Sequence, residues 1–482
     1  MQKKQKTLNQ DGMITPTILV VLVVFSVFAT GIMSWALQTR KSVVNTARGT
    51  QALQVAEAGI DYYKWHLAHD ESDYQNGNSW CCDKDNPVTL SVADCDGVCG
   101  PYTEIYKDYD GKDIGEYSLL IEVPPAGSTI VQIESTGKTY KDVSVKKTIA
   151  AKLGKKSLAR YSMLSNAPIW IGPDETTSGP LHSNKGIRFD GLCNAEVTSA
   201  VASYNCNTAN HSCSGTKPGI WGSASNSCKQ YWDFPDNYTD FENFTLNMAD
   251  IQADAEAAGI SLAPSGKLGY WLQFKSNGTV DVSRVTGWKY NVKYYDDNGS
   301  EVIGNEGVGS SVFIKNYPIP SNGLIFVKDN VFVEGTVNGR VTVAATKYED
   351  TPFDYAKIYI ESNITYLAKD GGDVLGLMSE GDIVVPRHAP VPVEIDAVML
   401  SQKGHVYTRN YKEENKNKKI GSITVYGGII SNLFWTWTYT SGGKPVDGYT
   451  HTIMEYDNNL TFGPPPSFPT EKEYEVLDWS EK

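Results

Sequence analysis

From Gly12 to Thr39 the chain carries no charged side chain. A bilayer core about 30 Å thick is crossed by a helix of roughly 20 apolar residues, so this run is long enough to span a membrane. No proline follows Pro16 before His69, and nothing stops the helix where the apolar run ends. Past Arg40 the pattern becomes amphipathic. Val44, Ala47, Ala52, Val55, Ala56, Gly59 and Tyr63 return at intervals of three and four, the spacing of one helix face. The sequence therefore predicts one helix over 13–70 that begins in an apolar medium and continues beyond it.

The remainder is long enough for two or more cores, since domains usually hold roughly 100–200 residues and 40% of the 482 residues are hydrophobic. Glycine (43), tyrosine (28) and tryptophan (11) are plentiful and helical periodicity is scarce after residue 70, which predicts β-structure. With a net charge of −13 and no basic cluster beyond the first residues, nucleic acid and anionic membrane surfaces are excluded as partners.

All eight cysteines lie beyond the apolar run, in two groups: Cys81, Cys82, Cys95 and Cys99, then Cys193, Cys206, Cys213 and Cys228. Zinc sites need paired CxxC knuckles, whereas Cys81 and Cys82 are adjacent and three residues separate Cys95 from Cys99. Even numbers in Gly-, Asn- and Ser-rich loops favour disulfides in an oxidising exterior. Their connectivity stays open. Basic residues flank both ends of the span (Lys3, Lys4, Lys6; Arg40, Lys41), so the cysteines set the expected orientation, with the N-terminus inside and the bulk of the chain outside.

Residues 1–12 form a basic leader ending in Gly12. The apolar run after it is longer than a secretory signal core and has no A-x-A-like exit. This leader, the apolar segment and the continuation NTARGTQALQVAEAGIDYY, above all QVAEAGI (Gln54 to Ile60), resemble the N-terminal region of PilX-type minor pilins and type IV pilin-like proteins. The resemblance implies cleavage by a prepilin peptidase between Gly12 and Met13, and bundling of the apolar helix with those of other pilins. Major pilins carry glutamate at the fifth position after the cut. Thr17 stands there, preceded by Pro16, a departure seen in some minor pilins and one that favours a filament tip over a shaft. An uncleaved signal anchor is the alternative.

Ala52, Ala56 and Gly59 are expected to form a helix assembly face, because small residues allow close helix approach. Glu57 among them either pairs with a basic group of a neighbour, such as its Arg48, or faces solvent.

Residues 71–155 read as a pilin-like antiparallel β-domain with a Cys-rich loop. Its strands are predicted in GEYSLLIEV, TIVQIESTG and VSVKKTIAAKL. Asp108, Asp110 and Asp113 resemble a calcium loop but lack its downstream glutamate and spacing, so a turn is expected. The phrases IESTGK and KKTIAAKL again resemble pilin-like proteins.

Residues 156–482 read as a β-solenoid ectodomain with a Cys-rich insertion. Apolar triplets such as Ile325–Val327, Val331–Val333 and Val341–Val343 alternate with Asp-, Asn- and Gly-containing turns, as in stacked coils of a parallel β-helix. A two-sheet sandwich is the rival. SGPLHSNKGIRFDG, DVLGLMSEGDIVVP and EIDAVMLSQKGHVYTRNY resemble pilus-associated solenoid proteins. One helix is predicted over Asp240 to Ile260, capped by Asp240 or Asn243 and stopped at Gly259. GPPPSFPT (Gly463 to Thr470) is expected to end the fold as an extended strap. The fold class is thus mainly β with a long N-terminal α-helix: a helix plus small antiparallel sheet, then a parallel β-helix.

His182, Ser183 and Asn184 are too close in one segment to act as a triad, and a turn is expected there. Glu394, Asp396, Asp373 and Asp382 could flank a sugar on a β-helix face, but no defined pair, basic partner or calcium set accompanies them. No catalytic residue, metal site or cofactor is assigned. The expected function is non-enzymatic: a membrane-anchored minor or tip pilin, single-pass in the cytoplasmic membrane, displaying its β-ectodomain for assembly, adhesion or surface attachment. The partners are other pilins, the prepilin peptidase and a host, surface or polysaccharide ligand, with Phe434, Trp435 and Trp437 as candidate contacts. The alternative is an anchored extracellular β-helix enzyme acting on polysaccharide.

Overall fold

The computed structural model describes residues 14–71, 73–78, 80–81, 97–125, 127–173, 175–206, 213–241, 244–348, 355–412, 421–441, 444–471 and 473–482. Gly12, Met13, Cys82, Cys95 and Asn243 lie outside them. The chain forms two compact units. The first comprises Met1–Val123, Val131–Leu153 and Tyr474–Lys482, the second Pro124–Ile130 and Gly154–Glu473. The boundary expected after residue 155 thus falls at 153/154, and two short segments cross over. Pro124–Ile130 belongs to the second unit, and the last nine residues return to the first.

In the first unit a single helix runs from Ile14 to His69, about 84 Å at 1.5 Å per residue. Its second half packs on a five-stranded sheet ordered Val98–Lys107, Asp113–Glu122, Ile130–Thr139, Asp142–Gly154 and Glu475–Glu481. The first three strands pair antiparallel, and the alternating burial of Asp113–Glu122 and Ile130–Thr139 gives one face to the helix. Val55, Ala56, Ile60, Tyr63 and Leu67 from the helix meet Leu119, Ile121, Val131, Ile133 and Ile149 there. The turn at Asp108 is confirmed as such: its carboxylate accepts the N–H groups of Asp110 and Lys112 at 3.1 and 3.0 Å. The final strand corrects the sequence reading, in which the fold ends at the proline-rich strap. Glu475–Glu481 joins the sheet beside Asp142–Gly154, where the Lys482 N–H donates to the Thr148 carbonyl at 2.9 Å.

The second unit is built on parallel ladders. One ladder runs through Ile260–Leu262, Leu324–Val327, Arg340–Ala345, Val374–Ser379, Val393–Ser401 and Ser422–Ser431, each strand pairing parallel with the next. It continues into Met163–Ser165, Leu181–Ser183, Val197–Ser199 and Trp232–Asp233. A second ladder links Gly269–Lys275, Val331–Val337, Ile358–Tyr366, Ile383–Val384, Val406–Tyr407 and Trp435–Thr436. A third joins the C-terminal part of Val331–Val337 and Ile358–Tyr366 to Val393–Ser401, Ser422–Ser431, His451–Glu455, Thr176–Thr177 and Leu192–Cys193.

Equivalent positions of the first ladder repeat their chemistry. Ile325, Val343, Leu377, Met399, Ile429, Met163, Leu181 and Val197 form one inward column. The neighbouring outward column, from Phe326 to Leu164, is covered by Met248, Ile251 and Ala255 of the helix Phe244–Ala258. That helix is shorter at both ends than the predicted 240–260, and Gly259 follows it with its N–H bonded to the Ala255 carbonyl. Residues 234–259 cross from the far end of the stack, where Asp236 bonds Ser199, to its beginning at Ile260.

Candidate functional site

The two halves of the long helix differ in what surrounds them. From residue 16 to 47 every side chain is exposed, including Phe25 at 71% and Trp35 at 69%, and the segment is long and apolar enough to cross a membrane. From Ala52 onward one face is buried. Exposing so many large apolar side chains to water is unfavourable at about 25 cal/mol per Å², so the first half is matched to lipid or to other apolar helices. The junction is fixed by Arg48, whose guanidinium donates to Asp142 at 2.5 Å. Hydrogen bonds from Ser144 to Asp142, together with Arg48, hold that carboxyl below its usual range.

The structure corrects the expected assembly face. Ala52 and Ala56 are fully buried against the chain's own sheet. A Cβ on Gly59 would lie 2.3 Å from Ser135 Oγ and 2.9 Å from Tyr117 Cδ2, and one on Gly137 2.3 Å from the Ala52 carbonyl and the Ala56 N–H. The small residues let the helix approach its own strands, a partner that periodicity alone cannot distinguish from a neighbouring helix. Of the four residues, Glu57 is the exposed one. Arg48, its proposed intermolecular partner, is engaged by Asp142 within the chain.

The carboxylates considered for chemistry are held in structural bonds. Asp373 accepts the N–H groups of Gly339 and Ala368 at 2.6 and 2.8 Å. Asp396, fully buried, accepts from Tyr366 N–H at 2.8 Å and meets Lys369 at 2.9 Å, and Lys369 also reaches Glu394 at 3.0 Å. Burial pushes the Asp396 carboxyl up. Asp382 accepts from Lys357 at 2.6 Å and from the N–H and ring of His405, each at 3.0 Å. These bonds draw the Asp382 carboxyl down against the opposing effect of burial.

His182 and Ser183 lie in a strand rather than the expected turn. The His182 ring contacts Thr198 Oγ1 at 2.6 Å and Asn184 Oδ1 at 3.3 Å, and burial lowers its pKa. Ser183 Oγ donates to the Ala167 carbonyl. Asn184 joins a stack in which its amide donates to Asn166 and that of Asn166 donates to Asn432. The aromatic contacts are corrected too. Trp435 and Trp437 are 9% and 1% exposed and belong to the core, while Phe434 is half-buried on His405, 4.2 Å between ring centres.

Three disulfides occur among the described residues: Cys81–Cys99, Cys193–Cys228 and Cys206–Cys213. All pair within the two expected groups.

One feature escaped the sequence reading. Strands Thr279–Tyr295 and Glu301–Pro318 form a long antiparallel hairpin extending from Gly269–Lys275, and its far end pairs with Asn410–Tyr411. Beneath it lies a buried polar layer. The Glu306 carboxylate accepts from Arg409 at 2.9 Å and from the Tyr411 hydroxyl at 2.7 Å. Glu361 accepts the Val308 N–H and meets the His388 ring, both at 3.0 Å. Asp297, near the tip, contacts His405 at 3.2 Å. Burial pushes the Glu306 carboxyl up, against the pull of Arg409. The turn signal Asp296-Asp297-Asn298-Gly299 between two alternating runs could have identified the hairpin.

No protein-family model matches the chain, and no curated protein matches it in sequence. Among solved structures, the competence-associated pilin ComZ from Thermus thermophilus aligns over 90% of this chain and 97% of its own, at 14% identity and a TM-score of 0.27. So loose a superposition carries no weight, and the functional reading rests on the elements described above.

Proposed function

We propose that this chain is a pilin-like, non-enzymatic assembly protein, placed at a filament tip as a minor pilin. In this reading the exposed half of the helix anchors the precursor in the cytoplasmic membrane, with its N-terminus inside, and later packs among the helices of other pilins. The parallel ladders of the second unit are then the coils of a β-helix displayed outside the membrane for adhesion or surface attachment.

The observation that carries the proposal is the helix Ile14–His69, apolar and fully exposed over residues 16–47 and packed on a small sheet from Ala52. A simple membrane anchor has no need of that second half. A helix that must hold a folded unit at a fixed distance from an apolar bundle does. Thr17 in place of the assembly glutamate, and the size of the second unit, support the tip rather than the shaft.

Mass spectrometry of the protein from its membranes tests the reading. A mature chain starting at Met13 and co-purifying with pilins supports it. An intact Met1 together with polysaccharide-cleaving activity would overturn it in favour of an anchored enzyme, a reading that no specific observation favours.

A further inference from the structure

The outward face of the second ladder carries one aromatic or aliphatic side chain per rung in strict register: Trp271, Phe332, Tyr359, Val384 and Tyr407. The hairpin covers this track. Trp288 sits edge-on to Phe332 and Tyr359, at 5.4 and 5.6 Å between ring centres, with Val285 and Val308 alongside. Beside the track, Arg409 and the Tyr411 hydroxyl converge on one carboxylate, that of Glu306, which is 1% exposed.

The hairpin's attachment is uneven. Its base is a full antiparallel ladder with Gly269–Lys275, but its far end has only two paired positions, Tyr294 with Tyr411 and Tyr295 with Asn410. From Gly309 to Asn316 its outer strand is exposed. The layer beneath also contains buried polar atoms without a partner in the chain, Glu361 Oε1 and His388 Nδ1. Buried polar atoms are normally satisfied, so this interface is less complete than the ladder it covers.

We propose that the hairpin is a displaceable strap over a binding track for an acidic polysaccharide, with Glu306 as its built-in occupant. Aromatic faces in a row stack on successive sugar rings. A guanidinium and a hydroxyl aimed at one point take a carboxylate through charge-assisted hydrogen bonds. Glu306 occupies the position that a uronate carboxylate of the ligand would take, and displacing it frees the Phe332, Tyr359 and Tyr407 surfaces. The inference concerns the second unit alone and stands or falls independently of how the N-terminal helix assembles.

The test uses the full chain in detergent with Glu306→Ala, read by amide hydrogen exchange and by binding of polygalacturonate oligosaccharides. Exchange over residues 286–311 is expected to rise at least tenfold while residues 324–345 keep their rates. Affinity for the oligosaccharide should rise at least tenfold over the unsubstituted chain, and adding Arg409→Ala should remove that gain. Glu306→Gln, which keeps the shape, provides the same readouts should the alanine variant fail to fold. Unchanged exchange in the hairpin, no gain in binding by a folded variant, or equal binding of an uncharged glucan or of polyglutamate would each overturn the proposal.

Discussion

Ser431 and Ser165 lie opposite each other as neighbouring rungs of one parallel ladder, although they stand at opposite ends of the second unit's sequence. The column of serines to which they belong runs from Ser379 through Ser401, Ser431, Ser165 and Ser183 to Ser199. The adjacent Asn166 donates to Asn432 at 2.7 Å. Coils formed early in the sequence are therefore stacked on the last coil of the chain, and residues 234–259 return along the stack to start the ladder at Ile260.

This join makes a prediction. A hydrogen bond between partly buried amides contributes about 1 kcal/mol, and leaving one partner unsatisfied costs about 1–3 kcal/mol. Asn166→Ala and Asn432→Ala should each lower unfolding stability by that amount. The double variant should cost less than the sum, because both changes break the same contact. Denaturant titration of the detergent-solubilised protein measures this. Strict additivity would show that the two side chains do not interact across the join.

The helix–sheet contact gives a second. Alanine is a better helix former than glycine by about 1 kcal/mol, so in open space Gly59→Ala would stabilise. Here the new methyl would lie 2.3 Å from Ser135 Oγ and 3.1 Å from Leu119 Cδ2, and overpacking costs about 1–3 kcal/mol. The steric term is the larger, and the melting temperature should fall. Glu57→Gln, on the exposed side, should change stability by less than about 0.5 kcal/mol. A more stable Gly59→Ala protein would contradict the packing.

The helix was legible because an uncharged run followed by a 3.6-residue pattern admits few other structures. Which partner its small residues meet was not, since Ala52, Ala56 and Gly59 show the same spacing whether they face a sheet or a neighbouring helix. The apolar triplets revealed short strands with turns between them. They could not reveal that Ser431 precedes Ser165 in the stack, because register between distant segments depends on the whole assembled core. The last strand, EVLDWSE, is exposed along its length and so leaves no burial pattern to read. The Glu306–Arg409 layer was hidden for a related reason: its members come from two strands about a hundred residues apart, and only the folded hairpin brings them together.

The disulfide Cys193–Cys228 closes a segment of 35 residues in the terminal coils, where the strands are only two or three residues long. A crosslink of this kind contributes about 2–4 kcal/mol. Replacing both cysteines with serine should lower the melting temperature and increase proteolysis within 193–233 first, leaving 324–345 protected. Limited proteolysis followed by mass spectrometry separates the two regions. Equal loss of protection throughout would show that the stack unfolds as one unit.

The last prediction concerns pH. His405 lies between Asp382 at 3.0 Å and Asp297 at 3.2 Å, with Lys357 on the far side of Asp382 and the Tyr407 and Phe434 rings against it. Burial disfavours its charge, but the two carboxylates outweigh that effect and raise its pKa to about 9. A histidine raised in the folded state contributes stability that is complete below its unfolded value of about 6.5 and is lost as pH rises through the folded value. Asp382, held low, works in the opposite direction, its contribution being lost only when pH falls below the ordinary carboxylate range. Stability from this cluster should therefore be greatest between about pH 4 and 6.5 and decline from 6.5 to about 9, by roughly 2–3 kcal/mol. His405→Gln should flatten that decline, and denaturant midpoints measured at intervals across the range would show it. A variant whose stability fell over this range as steeply as that of the unsubstituted protein would place the titrating group elsewhere.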